Sequence, residues 1–374
     1  MGFQNTLTIA KVALYALEVK GGVSPQMALG AMPKRPALLL RIEDSDGCYG
    51  WGEIWANFPP RAHLHKAHLV EDVIAPKLLG ASYVEPREIE HQLRESLTLY
   101  FLHVGQSIVF EHILAGVDTA LWDLSLRKAN ETFASFVQLS ESTAPVYASS
   151  INTDDLDRLI PHHAALGQTH FKLKIGFLKG DDHALVERAV ALIPENAHLM
   201  VDSNQMWNLE RAKKSLRSLE VYQPLFAEEC LPADACLSDW DALAKSTTIP
   251  LAGGENIYGL ENFVAMANAG LRVLQPDVAK WGGVTGALDL ADALPSGTLL
   301  WPHFMGSAVG QMAALSVTAS VGGGSVCEVD VNENALRTEL CGDAMSIVNG
   351  RMTLVDGNGL VCEPRSEVLA RCSV

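Results

Sequence analysis

Two lysines two residues apart, Lys172 and Lys174, open a series of residues that can do chemistry. Counting from Lys174, they are Asp202, Glu228, Glu255, Asp277, His303 and Glu328, successive ones 22 to 28 residues apart. Most close a short apolar run, as Leu199-Met200-Val201 precedes Asp202. Asp202, Glu228 and Glu255, if brought together, repel unless a cation sits among them, and an all-oxygen set selects Mg²⁺ or Mn²⁺ over zinc. The alternative is that each is a solvated loop carboxylate. Lys172 and Lys174 share one face of a strand, where each would depress the other's pKa and make an amine fit to act as a general base. In solvent the same pair would merely cap a strand.

His303 and Asp277 make a second acid/base, the aspartate orienting one ring nitrogen so that the other faces a substrate; a structural histidine capping a loop is the plainer reading. Lys280 rivals Asp277, but three residues further along a continuing strand it should leave the interior. Glu328 would donate a hydrogen bond if its pKa is raised, and otherwise serves as a structural carboxylate. Asn204 either binds substrate or trims the surroundings of the metal.

The interval suits a strand, a helix and two loops, hence repeated βα units. With Val146–Ser150 as the first run there are eight candidate strands, which predict a closed parallel barrel with its site at the strands' C-terminal ends. Leu209, Ala212, Leu216 and Leu219 recur at helical spacing behind Asn208 as N-cap. No helical pattern follows Glu328, so seven full helices are expected. Across such a barrel the second and seventh strands oppose, and Lys174 and His303 would address opposite faces of a bound molecule.

At 374 residues the chain exceeds one typical barrel, so a second domain is expected. The reading divides it into a cap over residues 1–143, a barrel over 144–336, and a tail, 337–374, that packs back on the N-terminal sheet. Within the cap, Leu7–Lys20 and Ala37–Glu53 read as antiparallel strands, the latter turning at Asp44-Ser45-Asp46-Gly47. Helices follow over Arg61–Leu79, Pro86–Leu99 and Ile108–Leu126, the last apolar on most faces and hence buried. Between the strands, Gly21–Pro36 holds three glycines and three prolines and reads as a loop. A second loop, Ile54–Pro60, carries Trp55, Asn57 and Phe58. Gly282–Gly286 lacks the spacing and lysine of a phosphate loop and reads as a tight βα turn.

A net charge of −16 and a pI near 5.1 argue against nucleic acid and anionic membranes as partners. Seven scattered cysteines without a CxxC pair read as buried thiols in a reducing compartment, with neither a disulfide framework nor a zinc site. With no signal peptide and no spanning apolar run read from the sequence, the expected location is cytoplasmic. Met1–Thr6 fits the loose myristoylation pattern, but without a basic neighbour it reads as chance.

Taken in order, these residues resemble the enolase superfamily, and within it the mandelate racemase subgroup, over essentially the whole chain. Lys172-Leu173-Lys174 resembles its KxK, Asp202-Ser203-Asn204-Gln205 its DxNQ, Glu228-Glu229 its EE pair and Gly254-Glu255-Asn256 its GEN. Asp277 with His303 resembles its His-Asp dyad, and Glu328 its eighth-strand glutamate. The chain departs at Cys230, where proline usually follows the EE pair, which touches the choice of Glu228 over Glu229 as ligand. The muconate lactonizing subgroup carries lysine where Asp277 stands.

The resemblance implies a modified (β/α)7β barrel and an N-terminal α+β capping domain whose two loops, Gly21–Pro36 and Ile54–Pro60, close over a small carboxylate. It implies Mg²⁺, removal of the proton beside the carboxylate, and an enediolate stabilised by metal and ammonium charge. Elimination of water to a 2-keto-3-deoxy acid is preferred, racemisation or epimerisation of a 2-hydroxy acid is the alternative, and a non-catalytic binding protein on the same scaffold the third reading. A symmetric homo-oligomer is also implied. Met27, Met32, Lys34, Arg35 and Arg61, with Trp55, Asn57 and Phe58, are the loop candidates for substrate contact, Trp55, Phe58, Met27 and Lys34 foremost.

Overall fold

The computed structural model describes residues 2–20, 28, 30, 32–176 and 181–374. The N-terminal part is an antiparallel sheet of β1 (Leu7–Lys20), β2 (Lys34–Asp44), β3 (Tyr49–Ile54) and the short β4 (Ser82–Tyr83), in the order β3-β2-β1-β4. The β2–β3 turn falls at Asp44–Gly47 as predicted. The Asp44 carboxylate accepts the N–H groups of Asp46 and Cys48, both at 2.9 Å, in place of ladder bonds.

Helix α1 (Ala62–Leu69) widens into a π-helical turn at Val70–Ile74 before Ala75–Leu78, where Pro76 offers no N–H to a regular ladder. Helix α2 (Pro86–His103) starts with a reciprocal cap between Glu85 and Glu88. In α3 (Ser107–Ala129) the run from Phe110 to Leu126 is buried but for Glu111, because β3 lies on one side and the barrel on the other. The approach to β3 is close enough that a Cβ on Gly52 would stand 2.1 Å from Gly116 O.

The second sheet is the barrel. Its eight parallel strands are β5 (Thr143–Ile151), β6 (His170–Lys174), β7 (His198–Asp202), β8 (Ala227–Glu228), β9 (Leu251–Gly253), β10 (Leu271–Leu274), β11 (Leu299–Leu300) and β12 (Cys327–Asp330). They run in chain order from β5 to β11, and β12 returns to pair with β5. Between β11 and β12 the Ser325 hydroxyl donates to Leu300 O.

Among the described residues seven helices join the eight strands, as the spacing predicts: α4 (Leu156–Ala165), α5 (Asp182–Leu192), α6 (Leu209–Leu219), α7 (Leu237–Ala244), α8 (Leu260–Asn268), α9 (Gly283–Ala293) and α10 (Ala308–Val321). Asn208 caps α6 by accepting Arg211 N at 2.9 Å, and Ala212, Leu216 and Leu219 are buried. Of Gly282–Gly286, read as a tight turn, only Gly282 precedes the helix, as its N-cap, and the other four form the first turn of α9. Where an eighth barrel helix would start, β12 is followed by a four-residue helical turn, Ala335–Thr338. Tyr147, Met200, Phe226, Ala252, Val273, Trp301 and Val326 pack together as the barrel's own apolar cluster.

The tail serves both halves. Strand β13 (Arg351–Thr353) pairs antiparallel with the start of β5, while Ser373, just after α11 (Ser366–Cys372), bridges to Leu17 of β1. Cys341 and Cys362 form a disulfide with Cα atoms 5.9 Å apart, against the all-thiol reading. Their separation of 21 residues carries no motif, and only the wrapping of the tail brings them together. Among the described residues no helix is long and apolar enough to cross a membrane.

Candidate active site

Lys172 and Lys174 both face the interior of β6 while Leu173 joins the core outside. The two ammonium groups are engaged differently. Lys172 Nζ lies between Glu228 Oε2 at 2.6 Å and Glu328 Oε1 at 2.7 Å, with Tyr147 OH at 3.4 Å. Lys174 Nζ donates to Asp202, its register partner on β7.

The lysines were expected to depress one another; instead both are raised. Burial opposes their charge, but Glu228 and Glu328 at Lys172, and Asp202 at Lys174, outweigh burial and the lysines' mutual repulsion.

Asp202 accepts Asn204 N at 2.8 Å and Asn204 Nδ2 at 3.3 Å. Asn204 and Gln205 both have left-handed backbones, with φ of 45° and 64°, which folds the loop after β7 back over the strand end. Burial pushes the Glu228 carboxyl up to about 7 although Lys172 opposes this, and Gln275 Nε2 donates to it at 2.6 Å.

Glu229, with φ of 47°, also turns inward and accepts Gln205 Nε2 at 2.9 Å and Asn256 Nδ2 at 2.8 Å. Burial and the adjacent Glu255 hold its carboxyl well above the ordinary range. Burial disfavours the Glu255 charge too, but Lys280, His303 and Lys174 outweigh it and hold that carboxyl well below the ordinary range.

His303 and Asp277 form the expected dyad. Nδ1 lies 2.8 Å from Asp277 Oδ2, and Nε2 lies 3.2 Å from Glu255 Oε2 and 3.7 Å from Glu328 Oε2. Burial lowers the imidazole's pKa, but Glu255, Glu328 and Asp277 together raise it to about 9. Glu328, which was to donate if its pKa were raised, has it lowered: burial is outweighed by Lys172 and His303, and it accepts from Ser149 and from Phe304 N at 3.3 Å.

Of these groups Lys174, Asn204, Glu229, Glu255 and His303, with Lys280 and Met305, line a cavity of about 110 Å³ at the strands' C-terminal ends, roofed by Trp55, Asn57 and Phe58 of the cap; Lys172, Asp202, Glu228, Asp277 and Glu328 are not in its lining. A larger cleft of about 670 Å³ lies between α4 and the segment after β12, and it contains none of the lysines, carboxylates and histidine just described. Of the loop candidates, Trp55, Phe58 and Asn57 line the cavity, and Asn57 Nδ2 holds Met305 O at 2.8 Å. Met27 falls outside the described residues. Lys34 sits exposed on β2, its ammonium on Glu18, and does not line the cavity. Arg35 is buried on Asp330.

Lys280 was expected to leave the interior, and it lies in the cavity wall, 3.2 Å from Glu255 Oε2 and 3.1 Å from Asn256 Oδ1. The strand does not continue: Ala279 N bonds Asp277 Oδ1 at 2.8 Å and Lys280 N bonds Asp277 O at 2.9 Å, so a turn returns the third residue to the side of the first. Gln275 was missed although Val273, Gln275 and Asp277 alternate inward, a period-2 signal that was there to be read.

Among the described residues no three His, Cys, Asp or Glu side chains gather as they stand into a group that could hold a metal ion. The ammonium groups of Lys174, Lys172 and Lys280 lie instead on Asp202, Glu228 and Glu255. The donor set nonetheless fits a hard cation: its atoms are carboxylate oxygens, Asn204 Oδ1 beside them and Glu229 Oε2 are buried without a hydrogen-bond partner, and Glu255 and Asp202 both push the Glu229 carboxyl up.

A curled parallel barrel with acids, lysines and a histidine at its strand ends, roofed by an antiparallel cap, defines an enzyme of the enolase fold. The family model described as enolase C-terminal domain-like matches residues 158–368, and that of the mandelate racemase / muconate lactonizing enzyme N-terminal domain matches 11–138. The chain belongs to the mandelate racemase/muconate lactonizing enzyme family of the enolase superfamily. An arabinonate dehydratase from Saccharolobus solfataricus is 27% identical, over 89% of this chain and 90% of the relative. A solved mandelate racemase/muconate lactonizing enzyme from Bordetella bronchiseptica RB50 superposes with a TM-score of 0.89 at 34% identity, covering 98% of this chain and 100% of the other. A racemase from Streptomyces coelicolor A3(2) with bound magnesium gives a TM-score of 0.85 at 24% identity, covering 98% and 100%. Other relatives are named as D-galactonate dehydratases and as cycloisomerases. The chain is an enzyme, a lyase or an isomerase.

Proposed function

We propose that the chain is a Mg²⁺-dependent acid-sugar dehydratase that converts a hydroxy-carboxylate to a 2-keto-3-deoxy acid. One observation carries this: Lys174, on β6, and His303, just past β11, line the same small cavity, Lys174 donating to Asp202 and His303 Nε2 lying 3.2 Å from Glu255 Oε2. Mg²⁺ (or Mn²⁺) held by those three carboxylates would supply positive charge toward the substrate's own carboxylate and the enediolate formed from it.

Lys174, as the free amine, takes the proton from the carbon beside the substrate carboxylate, and the C–H electrons pass into the enediolate. Asp202 now holds that ammonium charged, so the amine becomes a base when Asp202 is engaged elsewhere. His303, oriented by Asp277, gives its Nε2 proton to the hydroxyl on the next carbon, which leaves as water. The remaining enol takes up a proton to give the 2-keto acid. Lys172, fixed between Glu228 and Glu328, keeps a buried positive charge close to these groups. Where the next carbon bears no hydroxyl, the same pair would return the proton to the opposite face, and the product would be an epimer or enantiomer.

The relatives named as arabinonate and galactonate dehydratases support the dehydration reading. Incubation of the Mg²⁺-loaded enzyme with a library of aldonates and aldarates, read by semicarbazone formation, tests it. A 2-keto acid from at least one member is expected. Polarimetric change without keto acid would move the reading to racemisation, and no change with any acid would remove both.

A further inference from the structure

Trp55 is held from two sides. Its N–H donates to Ala279 O at 3.1 Å, and its ring lies near two ammonium groups, Lys280 Nζ at 4.6 Å and Lys66 Nζ at 4.8 Å from the ring centroid. Lys280 lines the cavity, whereas Lys66, on α1, does not. Lys66 is buried, and among the described residues no carboxylate lies within ion-pair distance of it. Its Nζ donates instead to Trp55 O and meets His112 Nδ1 at 2.7 Å. His112, on α3, meets Tyr258 OH through Nε2 at 3.0 Å, and its ring packs 5.0 Å from that of Trp55. Tyr258 lies three residues past Glu255. The chain of contacts thus runs from the cavity wall at Trp55 to the loop that carries Glu255.

Burying an ammonium without a counter-charge is costly, and a methionine would fill the same space without that cost. What methionine cannot do is donate to the Trp55 carbonyl and to His112. We propose that Lys66 is a positioning residue for substrate binding: it fixes the Trp55 wall against Lys280 from behind, and through His112 and Tyr258 ties the cap to the loop after β9. The role rests on the active-site reading above.

The test compares wild type, Lys66→Met and Tyr258→Phe as Mg²⁺-loaded enzymes. At pH 6, where Lys66 carries its charge, Lys66→Met should melt no lower than wild type, since a buried charge is removed. It should raise KM for the acid-sugar substrate about tenfold, the worth of one charge-assisted hydrogen bond, with kcat within about twofold. Acrylamide should quench the Trp55 emission, taken as the difference from a paired Trp55→Phe protein, several-fold more readily. Tyr258→Phe, which removes only the outer end of the chain, should show the same pattern more weakly, and it decides the matter if Lys66→Met does not fold. Unchanged KM and quenching overturn the inference, as does a parallel fall in melting temperature, kcat and affinity. If wild type converts no acid sugar, the quenching arm still decides: greater exposure of Trp55 upholds the positioning role while the function reading falls alone.

Discussion

His303 should make the metal-free protein lose stability as pH rises through the weakly alkaline range. Its folded pKa is raised from 6.5 to about 9 by Glu255, Glu328 and Asp277 acting against burial. A folded value above the unfolded one means that the native state binds the extra proton. The stabilisation is therefore complete below about 6.5 and is lost as pH climbs through about 9. A difference of about 2.5 units corresponds to roughly 3 kcal/mol, falling by up to about 1.4 kcal/mol per pH unit across that window. Urea unfolding in the presence of a chelator, at half-unit steps from pH 6 to 10, measures it. Other buried groups also titrate between pH 6 and 10, among them Lys66 and Asp118, each shifted to about 7, so the informative quantity is the difference between wild type and His303→Asn. That difference should change with pH in the direction given. Parallel curves from pH 7 to 9.5 would refute the claim that the carboxylates around His303 hold it charged.

In Lys174→Ala, solvent-deuterium exchange of a substrate α-hydrogen that faces the lysine should disappear; in His303→Asn it should persist while dehydration falls by about 10²–10⁴-fold or more. Equal loss of exchange in both would put the two residues on one face. Asp202→Ala and Glu228→Gln should each weaken Mg²⁺ binding, read by calorimetry, by more than the roughly 10- to 100-fold that a ligand's outer partners are worth, and Glu229→Gln by less. The reverse order would move the ligand from Glu228 to Glu229. Gly52→Ala, whose Cβ would stand 2.1 Å from Gly116 O, should cost roughly 3 kcal/mol in denaturant unfolding, because two backbones would have to part.

The barrel was legible because its period is imposed locally: a strand, a helix and two loops take a nearly fixed length, and inward residues alternate with core ones. Lys172, Lys174, Asp202 and Glu228 could be placed on that basis alone. Lys280 could not, because its position depends on whether the chain turns after Asp277, and that is settled by the bonds from Ala279 N and Lys280 N back to Asp277. The protonation of Lys172 and Lys174 was misjudged for a different reason. The two lysines are visible to each other in sequence, whereas the carboxylates that dominate their charge come from β7, β8 and β12 and converge only once the sheet has curled.

The least legible part is the grip of the cap on the barrel, since it joins residues more than two hundred positions apart. Glu53, at the end of β3, is buried against the start of α10 and accepts Ser307 N at 2.9 Å, Ser307 Oγ at 2.5 Å and Gly310 N at 3.0 Å. A carboxylate at a helix N-terminus satisfies N–H groups that the helix cannot. Here the same bonds anchor the short segment that begins at His303, whose backbone is otherwise held by its bridge to Asp277. Nothing in the run Tyr49–Ile54 marks that glutamate as different from any other strand residue. Its role exists only once the cap is seated, so the strand that leads into the cavity's roof also caps the helix that follows the His303 segment.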